Sequence, residues 1–135
     1  MNVPLAPSPM LLLVDDDPAV RASLIFSLEL EGFAVDAFES GETVMASVRL
    51  ARYACLVLDY RLPGIDGLSL LTLLRECGET CPAVIFTSNP TRAMRQRTTE
   101  SGAVLIEKPL LSDGLTTAIR ELIHGQDSAI RSGAD

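Results

Sequence analysis

Histidine is nearly missing from this sequence: His124 stands alone, and there is no tryptophan. One imidazole is too few for a His-based metal site or a Ser-His-Asp relay. Cysteine is scarce as well. Cys55, Cys77 and Cys81 make an odd set without CxxC spacing, which excludes a disulfide framework or a zinc site. Cys55 sits in an apolar run and reads as a small core residue; Cys77 and Cys81 flank a turn. No GxxxxGK[ST] segment occurs, so P-loop nucleotide chemistry is excluded. Positive charge is in deficit, with a formal net charge of −7. That argues against direct nucleic-acid binding, which needs a basic patch. Apolar runs such as Met10 to Val14 are far too short to span a bilayer. The N-terminus lacks the basic start of a signal peptide. The expectation is a cytoplasmic protein with no membrane contact. Lysine is the rarest cation: the chain has ten arginines and only Lys108. That single lysine reads as a place where a compact ammonium is required.

What is present suits one domain. The 135 residues are 47% hydrophobic and 21% charged, enough to bury a core and too balanced for disorder. Residues 1–9, with Pro4, Pro7 and Pro9, read as a loose arm. Short apolar runs then alternate with longer amphipathic stretches. Met10–Val14 and Cys55–Leu58 are continuous apolar runs, the mark of buried strands. Ala34–Phe38, interrupted by Asp36, reads as a more exposed edge strand. Ala83–Phe86 and Val104–Ile106 complete five strands. Val20, Leu24 and Leu28 share one face of a helix that starts near Pro18 and stops at Gly32. Further helices are expected over Gly41–Leu50, Leu68–Arg75 and Thr91–Glu100. The last carries Leu115, Ala118, Ile119, Leu122 and Ile123 on one face. Residues 125–135 read as a polar tail. Strand–helix alternation of this kind predicts an α/β, doubly wound, five-stranded parallel sheet, with ligands beyond the carboxyl ends of its strands.

Those ends carry chemistry. The first strand runs into Asp15-Asp16-Asp17 and the third into Asp59. The fourth runs into Thr87-Ser88 and the fifth into Glu107-Lys108-Pro109. On one edge of a parallel sheet, several carboxylates, a hydroxyl and an ammonium converge. Clustered carboxylates repel and raise one another's pKa. A hard divalent cation removes that repulsion, and Mg²⁺ suits few carboxylates shared with water and phosphate. An ammonium and a hydroxyl beside it can neutralise a transferred phosphoryl group. One carboxylate can be the nucleophile.

Four motifs stand in order at strand ends: Leu-Val-Asp-Asp-Asp-Pro at 13–18, Leu-Asp-Tyr-Arg-Leu-Pro-Gly-Ile-Asp-Gly at 58–67, Phe-Thr-Ser at 86–88 and Ile-Glu-Lys-Pro at 106–109. Together they resemble a response-regulator receiver domain, similar to the receivers of nitrogen-fixation and LuxR-type regulators. The resemblance covers residues 10–124. It implies a flavodoxin-like fold with strand order 2-1-3-4-5. It implies phosphorylation of Asp59 by a partner sensor histidine kinase. It gives Mg²⁺ the ligands Asp15, Asp16, Asp59 and the backbone carbonyl of Arg61. Thr87 and Lys108 become the groups that bind the phosphoryl oxygens. Leu105 stands where the family often has an aromatic switch residue, so it has no polar or aromatic handle. A cis Lys108–Pro109 bond and a homodimer through the face of helix 4, strand 5 and helix 5 also belong to the family pattern.

Simpler readings stand beside these. Asp17, before Pro18, suits a helix N-cap; Asp66-Gly67 suits a turn and cap; His124 suits a helix terminus or surface. The leucines of the third helix suit core. A haloacid-dehalogenase-type phosphatase, the enzymatic rival, needs a second Asp two residues past the nucleophile, where Arg61 stands. The preferred reading is therefore a signalling module and not an enzyme. A pseudo-receiver is disfavoured because every acceptor-site position is filled. Within Thr91–Glu100 only Ala93 and Met94 are apolar, and Thr98 and Thr99 are β-branched. That segment is expected to be loosely packed or partly disordered in the resting state.

Overall fold

The computed structural model describes residues 8–47, 53–108 and 114–133, with side chains given up to residue 125. Ten elements alternate. They are β1 (Met10–Val14), α1 (Pro18–Leu30), β2 (Ala34–Phe38), α2 (Gly41–Ser47) and β3 (Cys55–Asp59), followed by α3 (Gly67–Glu76), β4 (Ala83–Thr87), α4 (Arg92–Glu100), β5 (Val104–Glu107) and α5 (Gly114–Gly133). All four strand pairings are parallel, and the order is β2-β1-β3-β4-β5. This is the architecture expected from the alternation and from the resemblance.

The central strands are apolar up to the carboxyl ends of β3 and β4, where Asp59 and Thr87 stand, because both faces of the sheet are covered. Strand side chains point alternately to opposite faces. Leu12, Val14, Leu56, Leu58, Ala83 and Ile85 pack with Val44 of α2 and with Leu68, Leu70, Leu71 and Leu74 of α3. Leu11, Leu13, Cys55, Val57, Val84 and Phe86 pack on the other face, with Leu24 and Leu28 of α1 and Leu115 and Ile119 of α5. Each fully buried leucine contributes about 2 kcal/mol. β2 is half-buried throughout, as an edge strand should be.

Helix ends follow the chemistry of their residues. The Asp17 carboxylate accepts from the amides of Ala19 and Val20, with Pro18 in the first turn. Asp66 accepts from the Ser69 amide at the start of α3. Gly32 ends α1 with φ +95, a left-handed conformation that glycine adopts without penalty.

Two expectations change. The 91–100 segment forms a regular helix, not a loosely packed stretch. Thr91 caps it by accepting from the Met94 amide at 3.1 Å. Met94 is buried, and Thr98 is completely so. Thr98 looked unsuitable because it is β-branched and polar. Its hydroxyl bonds the Met94 carbonyl at 2.8 Å, so it can be buried without an unmet polar group. The final helix also continues to Gly133, through most of the segment expected as a polar tail. The segment reads as a tail because it is polar, but a helix tolerates an interior glycine such as Gly125 at a cost of about 1 kcal/mol, and no proline follows. Most of the N-terminal arm and residues 48–50 of the expected second helix lie outside the described residues.

Candidate functional site

Sheet register assembles the site. Val14 pairs with Leu58, Asp59 with Phe86, and Thr87 with Glu107. Asp15, Asp59, Thr87 and Lys108 therefore emerge at one edge, each at or just past the carboxyl end of a neighbouring strand. The Lys108 amide donates to the Thr87 carbonyl at 2.8 Å, which fixes where the lysine side chain starts.

Asp15 is fully buried. Its Oδ1 accepts from the Asp17 amide at 2.8 Å. Its Oδ2 has no hydrogen-bond partner, the one such buried side-chain atom among the described residues. Asp59 is 3% exposed. Its Oδ1 accepts from the Arg61 amide at 3.0 Å, and its Oδ2 from Lys108 Nζ at 3.1 Å. Lys108 Nζ also lies 3.7 Å from Asp15 Oδ2, so one ammonium faces two buried carboxylates. Its position is supported from below by the Phe86 ring, whose centroid is 5.0 Å away, a cation–π distance. Burial raises the pKa of both carboxyl groups above their ordinary values. Lys108 and the backbone amides counter that rise, while repulsion from Asp16 and Asp17 adds to it at Asp15, and repulsion from Asp15 adds to it at Asp59. Exposed Asp16 completes the cluster: one ligand atom from each of Asp15, Asp16 and Asp59 lies within 4.8 Å of the others.

The structure thus brings Asp15, Asp16, Asp59 and Lys108 together. Thr87 is fully buried at the neighbouring strand end, with its hydroxyl donating to the Ser88 carbonyl at 3.3 Å. Leu105 does not join the cluster. It sits within β5, paired with Ile85, half-buried against the core on the α3 side. Pro109, and with it the expected cis bond, lies outside the described residues.

Two supporting residues escaped the sequence reading. A Cβ on Gly67 would lie 2.3 Å from the Asp59 carbonyl oxygen and 3.0 Å from its carbon. Only glycine lets α3 start this close to the acidic strand end; the Asp-Gly dipeptide showed a turn but not this approach. Glu42 of α2 accepts from the Ile65 amide at 2.9 Å and so holds the β3–α3 loop. Nothing in the sequence marks that contact, because it joins residues 23 positions apart.

The model of the response regulator receiver domain matches residues 11–120. The chain belongs to that family. Receivers accept a phosphoryl group in two-component signalling, and the carboxylate cluster is consistent with that role. Among curated relatives, the transcriptional regulatory protein FixJ of Bradyrhizobium diazoefficiens is 32% identical over 90% of this chain and 60% of its own length. The response regulator MprA of Mycobacterium leprae is 34% identical over 84% of this chain and 50% of its own. This receiver therefore spans half to three fifths of the length of those relatives. The crystal structure of FixJ-N matches with a TM-score of 0.75 at 32% identity, over 86% of this chain and 93% of that one. A receiver domain protein from Methanospirillum hungatei matches with a TM-score of 0.83 at 24% identity, over 90% of this chain and 98% of that one, a likeness of fold alone.

Proposed function

We propose that Asp59 is the phosphoryl acceptor of this receiver and that Asp15, Asp16, Asp59 and the Arg61 carbonyl hold Mg²⁺. The observation that carries this reading is the buried, unpartnered Asp15 Oδ2 beside Asp59 and a single ammonium. Two buried carboxylates sharing one lysine are under-neutralised, and a hard oxygen-seeking dication fits that donor set. When bound, Mg²⁺ supplies positive charge to the phosphoryl oxygens.

The remaining steps belong to the chain. An Asp59 carboxylate oxygen forms a bond to phosphorus as the phosphorus–nitrogen bond of a phosphohistidine breaks. The imidazole leaves and takes up a proton. Lys108 turns from Asp59 Oδ2 to a phosphoryl oxygen, and the Thr87 hydroxyl leaves the Ser88 carbonyl for another. Leu105 can follow only by apolar repacking. Hydrolysis of the acyl phosphate restores the resting state.

In this reading the unit is residues 10–124, and it acts as a signalling module, not an enzyme. A sensor histidine kinase is its donor, and a homodimer through α4, β5 and α5 is its assembly. It works in the cytoplasm without binding nucleic acid or membrane itself. No described helix is long and apolar enough to cross a membrane. The test is transfer from a radiolabelled, autophosphorylated histidine kinase. Label should pass to the wild type in Mg²⁺ and fail to pass in EDTA. Transfer at an unchanged rate in EDTA would contradict the metal assignment.

A further inference from the structure

Tyr60 and Arg61 directly follow Asp59, and both side chains reach towards α4. The Tyr60 hydroxyl accepts from Arg97 Nη1, and the Arg97 guanidinium lies 5.7 Å from the Tyr60 ring centroid. Arg61 Nη2 is 3.5 Å from the Ser88 carbonyl oxygen, 3.4 Å from that of Asn89 and 3.7 Å from Met94 Sδ. The Thr87 hydroxyl donates to the same Ser88 carbonyl, so Arg61 and Thr87 share one acceptor. Asn89 has φ +46 and is the one described non-glycine residue with positive φ. That backbone is costly for most side chains and is tolerated by asparagine. Arg61 thus grips the loop that turns at Asn89 between Thr87 and the first turn of α4. Its own amide is meanwhile bonded to Asp59 Oδ1.

We propose that Tyr60 and Arg61 form a two-point tie that sets the position of α4 directly from the acceptor loop. A change at Asp59 Oδ1 re-aims the Arg61 amide, and the side chain carries that movement to Ser88, Asn89 and Met94. Movement of Thr87 away from Ser88 leaves that carbonyl to Arg61 alone. The path runs along the β3 side of α4. It needs no aromatic group on β5, where Leu105 provides none. The trigger rests on Asp59 being the acceptor; the tie itself is present in the resting protein.

Amide hydrogen exchange of residues 92–100 tests the tie without any ligand. The contacts are exposed, so each should change local opening only about threefold, and both together about tenfold. Tyr60→Phe and Arg97→Ala should each speed exchange of α4. Arg61→Ala/Arg97→Ala should do so most, with β1 and β3 amides unchanged. Arg92→Ala, at an exposed position on the same helix, should have no effect. Wild-type exchange in the double variant, or equal acceleration in β1 and β3, overturns the proposal. A second measurement adds beryllofluoride and Mg²⁺, with bound fluoride followed by ¹⁹F NMR. Tyr60→Phe/Arg97→Ala should keep the bound signal and lose most of the α4 response. A full α4 response in that variant overturns the tie as a coupling route. Absence of bound fluoride in the wild type would instead defeat the acceptor reading, and the resting-state comparison then decides the tie.

Discussion

Replacing Gly67 with alanine adds one methyl group, and the structure gives it nowhere to go. The new Cβ would lie 2.3 Å from the Asp59 carbonyl oxygen, 3.0 Å from the Asp59 carbonyl carbon and 3.1 Å from Tyr60 Cα. An ordinary carbon–oxygen contact needs roughly 1 Å more than that closest approach. The crowded atoms are backbone at the end of the central strand, so no rotamer change relieves them. Either α3 withdraws, straining the 3.0 Å bond from the Gly67 amide to the Tyr60 carbonyl, or the Asp59 peptide tilts. Overpacking of this kind costs about 1–3 kcal/mol and sometimes more. The gain in helix propensity, about 1 kcal/mol, offsets part of it. A net loss of about 1 kcal/mol is expected, with weaker Mg²⁺ binding because the displaced peptide carries Asp59. Urea unfolding and Mg²⁺ titration of the purified variant would measure both. Gly125→Ala is the matched control. Among the described residues, nothing beyond its chain neighbours and its own helix backbone lies within 4 Å of its added Cβ and it sits within α5, so it should stabilise by about 0.5–1 kcal/mol. Wild-type stability and Mg²⁺ affinity in Gly67→Ala would refute the reasoning.

Asp15→Asn removes a buried charge but keeps an acceptor for the Asp17 amide. It should stabilise the metal-free protein by about 1 kcal/mol and abolish stabilisation by Mg²⁺ in thermal melts; a variant still stabilised by Mg²⁺ would count against the ligand assignment. Lys108→Ala removes a cation that lowers both carboxyl pKa values. Those folded-state values then rise further above the unfolded 3.8. The folded state holds the extra protons, so stability falls as pH rises from about 4 through the raised values. The variant should lose much more stability at pH 7.5 than at pH 4 in urea unfolding, and an equal loss at both would sink this account. Burial pushes the Cys55 thiol up to about 12 and Cys81 up to about 11, whereas Cys77 is exposed. A thiol reagent at pH 8 should therefore modify Cys77 alone in the native protein, as peptide mapping would show.

The strands and the acidic edge were legible because their signals are local and redundant, whereas the strand order came from the family resemblance alone. Met10–Val14 and Cys55–Leu58 are apolar at successive positions, which only a doubly covered strand requires. Each is followed at once by its carboxylates. Lys108 stood out through composition, as the only lysine. Packing against distant backbone was not legible. Gly67 reads as an ordinary turn glycine until Asp59 is placed beside it, and Glu42 reads as a solvated helix residue until Ile65 is. The fourth helix was misjudged for a related reason. Propensity penalises Thr98, but its bond to the Met94 carbonyl lets it act as a core residue. The C-terminal boundary was missed because periodicity shows where an apolar face ends, not where the backbone stops being helical.

The central claim is that Asp59 forms an acyl phosphate, and borohydride trapping tests it most directly. The protein is incubated with Mg²⁺ and a small acyl-phosphate donor, then reduced with borohydride, which converts an aspartyl phosphate to homoserine. Peptide mapping should find homoserine at position 59 in the wild type, none after EDTA, and none in Asp59→Asn. Homoserine at Asp15 or Asp16 in place of Asp59, or no homoserine despite bound Mg²⁺, would contradict the account.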